Sequence, residues 1–175
     1  MSPIEQYLQE LRDIRATGAA VKETSYYAPL ANLLNAIGAT LKPKVRCLMQ
    51  LKNLGAGMPD GGLFTARQFQ RCLSDQPNDP QNPERGVIEV KGTGDDAWVT
   101  ANTKQVSKYW DKYRQVLVTN YRDFVLIGQD INGQPITLET YRLANSEKEF
   151  WQKIQKPRVF AQEQEEQLTE YLKRV

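Results

Sequence analysis

Residues 86–92 read GVIEVKG, and the fold turns on how this stretch is read. As a strand its side chains alternate between faces, so Ile88 and Val90 point one way while Val87, Glu89 and Lys91 point the other. Burying a carboxylate and an ammonium is costly unless they pair or bind something. Glycines at both ends of the stretch keep the backbone accessible. The polar side of this strand is therefore where a ligand or a reaction is expected.

Upstream, residues 55–62 read GAGMPDGG, with Pro59 and four glycines around Asp60. An isolated Asp-Gly pair is an ordinary turn. Here Asp60 opens one expected strand and Glu89 and Lys91 lie in the next, so antiparallel pairing brings the three side chains onto one face. Two carboxylates with an accessible backbone carbonyl, that of Val90, form a hard oxygen set suited to Mg²⁺, with Mn²⁺ as a substitute. The Lys91 ammonium can position or deprotonate a metal-bound water, or offset charge on a phosphate. Glu89 and Lys91 share a face because they are two residues apart.

Around this centre the chain alternates helix and strand signals. Ser2 as N-cap, Pro3 at the first helical position and Glu5 three residues after the cap start a helix. Its stripe is Ile4, Tyr7, Leu8 and Leu11, and Gly18 stops it. A second helix is expected over residues 24–38, with Leu30, Leu33, Leu34 and Ile37 apolar, Gly38 ending it and Glu23 just ahead of it. Residues 42–53 alternate as a half-exposed strand, with Val45, Cys47, Met49 and Leu51 on one side. GGLFT, residues 61–65, reads as its neighbour, and the polar residues 74–86 read as a long surface loop between strands. A helix then fits residues 103–114, followed by strands over 115–120 and 123–130. The tail from residue 144 is helical with a break at Pro157. The expected fold is α/β, a mixed central sheet flanked by helices, with a domain over 1–156 and a helical segment over 157–175 that could serve as a connector.

On the helix of residues 103–114, Gln105 and Tyr109 are four apart and share a face that could line a cleft. Tyr109 is equally readable as core, alongside Val106, Trp110 and Tyr113. Lys104, Lys108 and Lys112 form an adjacent stripe, readable as a solvated face or as phosphate contacts. Glu23 at a helix start has an electrostatic reason to be there as well as a chemical one.

Composition bounds the chemistry. The 175 residues carry no histidine, which excludes a Ser-His-Asp triad, a Cys-His pair and any histidine ligand or base. Two cysteines, Cys47 and Cys72, form neither a disulfide framework nor a zinc quartet. A net charge of +2 does not by itself mark a nucleic-acid binder. No apolar run approaches the roughly 20 residues of a membrane span and the amino terminus lacks a signal pattern, so a soluble cytoplasmic protein without a membrane partner is expected.

These residues resemble the PD-(D/E)xK nuclease superfamily: Pro59 and Asp60 stand for its P-D pair, and Glu89, Val90 and Lys91 for its E-x-K tripeptide. Residues 105–109, QVSKY, resemble the Q-x-x-x-Y element of the RecB-like branch, and Glu23 resembles the extra helical acid of many members. The wider order of motifs is similar to the N-terminal nuclease domain of large single-chain restriction-modification enzymes. The resemblance implies a Mg²⁺-dependent endonuclease acting on double-stranded DNA. Asp60 and Glu89 would hold metal, Lys91 would assist water attack, Gln105 would orient, and Lys104, Lys108 and Tyr109 would touch the nucleic acid. It also implies helicase, methyltransferase or target-recognition domains as partners in a longer chain. A dimer stays open, because cutting two strands with one site per chain takes two chains or two events. A catalytically silent DNA-binding or assembly module with the same fold is the alternative.

Overall fold

A computed structural model describes residues 1–70 and 75–175. Cys72 lies outside the described residues. The elements run α1 (Pro3–Ala16), α2 (Tyr27–Gly38), β1 (Val45–Met49), β2 (Gly61–Thr65), α3 (Ala66–Phe69), β3 (Val87–Val90), α4 (Ala97–Ala101), α5 (Lys104–Tyr113), β4 (Val116–Thr119), β5 (Asp123–Gln129), β6 (Pro135–Arg142), α6 (Glu147–Lys153) and α7 (Pro157–Arg174). The six strands form one sheet in the order β1-β2-β3-β4-β5-β6, so the fold is α/β with a mixed sheet. Among the described residues only β3 and β4 are parallel, with Val87 to Val90 beside Val116 to Thr119. A parallel pair needs a crossover, and α4 and α5 supply it.

The sheet has helices on both faces because its strands alternate two apolar sets. Ile88, Val90, Leu117, Phe124 and Leu126 pack with α1, α2, α6 and α7. Val87, Val116, Val118, Val125 and Ile127 pack with α4 and α5. Helix α5 contributes Val106, Tyr109, Trp110 and Tyr113, the spacing of one helical face.

Local signals explain the element ends. Ser2 accepts a hydrogen bond from the Glu5 amide at 3.1 Å and caps α1, and its hydroxyl donates to Glu165 of α7 at 2.6 Å. Gly18 follows α1 with φ +68°, where a glycine carries no steric cost. Gly38 sits at the expected end of α2 for a different reason. It is the last helical residue, and a side chain there would meet the Val45 carbonyl at 2.3 Å, so it lets the helix lie against β1. Leu51 departs from the expected alternation: Gln50 turns into the left-handed region at φ 61° after β1 ends, and Leu51 joins the core on the α5 side.

The expected elements all form, and α3, α4 and β6 are additional. Asp96 caps α4 by accepting from the Trp98 and Val99 amides. β6 is an edge strand, largely exposed, which blurs the alternation that marks buried strands. The segment 157–175 packs into the same core as the rest. Phe160, Ala161, Leu168, Tyr171 and Leu172 of α7 are buried against α1, α2 and β6. Arg85 also donates to the carbonyls of Lys173 and Val175.

Candidate active site

The motifs quoted above converge at one end of the sheet. Strands β2 and β3 are antiparallel with Gly61 beside Ile88 and Gly62 beside Val87, so Asp60 enters its strand next to the end of β3. The contact is direct. The Val90 amide, between Glu89 and Lys91, donates to Asp60 Oδ2 at 2.7 Å, and the Asp60 carbonyl accepts from the Gln50 amide at 2.6 Å. Proline and glycine around Asp60 permit this path, since Gly57 takes φ +103° and a side chain at Gly61 would meet Met49 at 2.8 Å.

Glu89 and Lys91 pair through Nζ and Oε1 at 2.9 Å. Glu89 is 3% exposed, and burial first, then the charges of Asp60 and Glu23, raise its pKa against the lowering effect of Lys91. Partial burial pulls Lys91 down, but the Glu89 hydrogen bond and the charges of Glu89, Glu23 and Asp60 outweigh it and leave its pKa raised. Lys91 therefore stands as an ammonium among three acids. Val90 points to the opposite core, as alternation requires.

The outlying residues divide. Tyr109 is a core residue, which corrects its expected contact with nucleic acid: it is wholly buried with the α5 core and presents no surface to a duplex, while its hydroxyl accepts the Gln105 amide at 2.6 Å and feels the charges of Glu89, Asp60 and Lys91. Gln105 is exposed, and its side-chain N–H goes to Tyr109 rather than to Lys91. Glu23 acts on Glu89 and Lys91 by charge; among the described residues its carboxylate shares no hydrogen bond with them. Lys104 and Lys108 are exposed. Lys108 and Lys112 line a groove of about 600 Å³ with Gly55, Ala56, Gly57 and Asp111, and the backbone of Gly57 runs beside Tyr109. None of the three lysines enters an ion pair among the described residues.

Two tyrosines of the site carried no signal in the sequence. Tyr27 donates its hydroxyl to Asp60 Oδ1 at 2.5 Å across 33 positions of chain. Tyr121, buried and in the left-handed region at φ 73°, donates to the Glu23 carbonyl, and its own carbonyl accepts from Tyr7 at 2.7 Å. Both are long-range contacts between unlike elements, which no spacing rule reports. Cys47 is buried and its thiol is pushed up to about 12 by that burial, so it is an inert packing residue.

Asp60, Glu89 and the Val90 carbonyl are the oxygen groups that could hold a divalent cation. No group of three or more Asp, Glu, His or Cys gathers as a metal cluster among the described residues. A pair of carboxylates still suits Mg²⁺, which keeps waters and takes substrate oxygens rather than needing an all-protein cage. Asp60, Glu89 and the nearby charge of Glu23 outnumber the Lys91 ammonium, and that balance suits such an ion.

No family model matches the chain, and no curated protein matches it. Among solved structures, a chain in the cryo-EM structure of a DrdV–DNA complex is similar to this protein, with a TM-score of 0.56 and 19% sequence identity, covering 89% of this chain and 94% of that chain. No helix among the described residues is long and apolar enough to cross a membrane. The likeness extends over nearly the whole of both chains, and what it shows is a shared α/β fold.

Proposed function

We propose that this chain is a metal-dependent endonuclease domain that hydrolyses DNA phosphodiester bonds, with the PD-(D/E)xK arrangement at its centre. One observation carries the reading: the Val90 amide, flanked by the paired Glu89 and Lys91, is bonded to the Asp60 carboxylate, so the two sequence-distant motifs meet. The fold shared with a chain of a DNA complex supports it.

Mg²⁺ would be held by Asp60, Glu89 and the Val90 carbonyl, and when bound it would polarise a phosphoryl oxygen and make water a better nucleophile. The residues of this chain do the rest. Lys91, held as an ammonium by the acids around it, offsets charge that builds on the phosphate. Gln105 and Tyr109 form a hydrogen-bonded pair at the side of the site and orient what enters it. Glu23 adds negative charge to the site. Lys104 and Lys108 neutralise backbone phosphates, and such contacts position a duplex without reading its sequence. In this reading the chain is the cleavage module of a restriction-modification enzyme, residues 157–175 lead toward further domains, and two chains or two events cut the two strands.

Nicking of supercoiled DNA with Mg²⁺ or Mn²⁺, added or chelated, tests the reading. We expect metal-dependent nicking by the unaltered chain and its loss in Asp60→Ala and in Lys91→Ala, both still folded by circular dichroism. Retained cleavage in Lys91→Ala would remove that residue from the mechanism. The second reading is a silent DNA-binding or assembly module with the same fold. It predicts DNA binding without nicking under every metal condition.

A further inference from the structure

Tyr27 stands outside every motif of the sequence, yet it makes the only side-chain hydrogen bond to Asp60 among the described residues. Its neighbours show why it can be held there. It is the first residue of α2, directly after the short helical turn Thr24–Tyr26, and Tyr121 anchors that turn by donating to the Glu23 carbonyl. Tyr121 is itself fixed: its backbone accepts from Tyr7, and its ring is buried in the α1 and α2 core, edge-on to Tyr26 at 5.4 Å. A strained left-handed backbone at a bulky residue persists only where its surroundings hold it.

The consequence falls on Asp60. Each carboxylate oxygen takes one donor, Oδ1 from the Tyr27 hydroxyl and Oδ2 from the Val90 amide, from two elements that approach it separately. Two donors from different directions fix the plane of the carboxylate and leave each oxygen its remaining lone pair. A partner of this kind, hydrogen-bonded to a ligating carboxylate, sets the orientation of the ligand.

We infer that Tyr27 is a positioning residue of the site: its hydroxyl presets the Asp60 carboxylate for a divalent cation and thereby sets the affinity of the site for it. This inference rests on the metal-site reading proposed above. Tyr27→Phe removes the hydroxyl and keeps the ring. The probe is Mn²⁺ alone, titrated calorimetrically into the unaltered chain, Tyr27→Phe, Tyr121→Phe and Asp60→Ala, with a thermal melt of each in chelator.

The expected result is Mn²⁺ binding by the unaltered chain, none by Asp60→Ala, and a loss of about 10-fold or more in Tyr27→Phe at a nearly unchanged melting temperature. Wild-type affinity in a folded Tyr27→Phe would overturn this inference and leave the metal site standing. No binding by the unaltered chain, or equal binding by Asp60→Ala, would overturn the metal site and this inference with it. Equal weakening by Tyr27→Phe and by Tyr121→Phe, the latter with a lowered melting temperature, would assign the effect to loosening of the segment rather than to the hydrogen bond.

Discussion

Glu89 keeps a carboxylate buried on β3 with the Lys91 ammonium beside it. Its pKa is raised by burial, so the folded chain holds that proton more tightly than the unfolded chain, whose Glu titrates near about 4.3. A group of this kind contributes stability fully below the unfolded value and loses it as pH rises through the folded one. At pH 7 it is therefore a burden, as functional sites often are. Glu89→Gln should relieve it: Lys91, with 34% of its side chain exposed, can turn to water once its partner is neutral. We expect Glu89→Gln in chelator to melt about 2–4 °C higher than the parent at pH 7, for a gain of roughly 1 kcal/mol. The gap should narrow as pH approaches 4. A lower melting temperature at pH 7 would mean that the ion pair outweighs the burial.

At the scale of elements, close approach does as much as apolar patterning. α2 can lie on β1 only because Gly38 has no side chain at the point where the Val45 carbonyl would be 2.3 Å away. Gly38→Ala should cost about 1–3 kcal/mol, the range for overpacking, even though alanine is the better helix former. Denaturant unfolding checks this, and a neutral or stabilising result would show that α2 can shift away from β1. The same helix carries Tyr27 at its other end, so its position bears on the site as well as on the core. α5 is tied to the sheet in a comparable way: Trp110 donates to the Gly128 carbonyl at 2.7 Å, and Tyr109 carries the helix to the edge of the acid cluster.

For the whole molecule, the last helix is part of the structure that supports the site. Residues of α7 cover Phe124 and the α1 stripe, Arg174 pairs with Glu139 on β6, and Gln115 at the start of β4 donates to the Val175 carbonyl at 2.8 Å. A chain ending at Lys156 would expose Ile4, Leu8, Phe124 and Phe150, which are wholly buried in the core that α7 closes. Fully burying one such side chain is worth about 1.5–3 kcal/mol, and the net stability of a domain is of order 5–15 kcal/mol. The shortened chain should lose its cooperative thermal transition. A cooperative melt near that of the parent would make 157–175 dispensable for folding.

Read by itself, the sequence determined the sheet and helices that alternate around it, the two apolar sides of β3, and the grouping of Asp60 with Glu89 and Lys91. The first two are written in short-range periodicity, two for strands and near four for helices, and the third follows from it once neighbouring strands are paired antiparallel. It was nearly silent on β6, where exposure on both sides blurs the alternation, and on α4, which is a single capped turn and a little more. Only the tertiary structure decided that Tyr27 reaches Asp60, that Tyr121 reaches the Glu23 carbonyl, that Gln105 turns to Tyr109, and that α7 is core. Those are contacts across tens of residues, made by the ends of long side chains, and such ends are placed by packing rather than by the residues next to them in the chain.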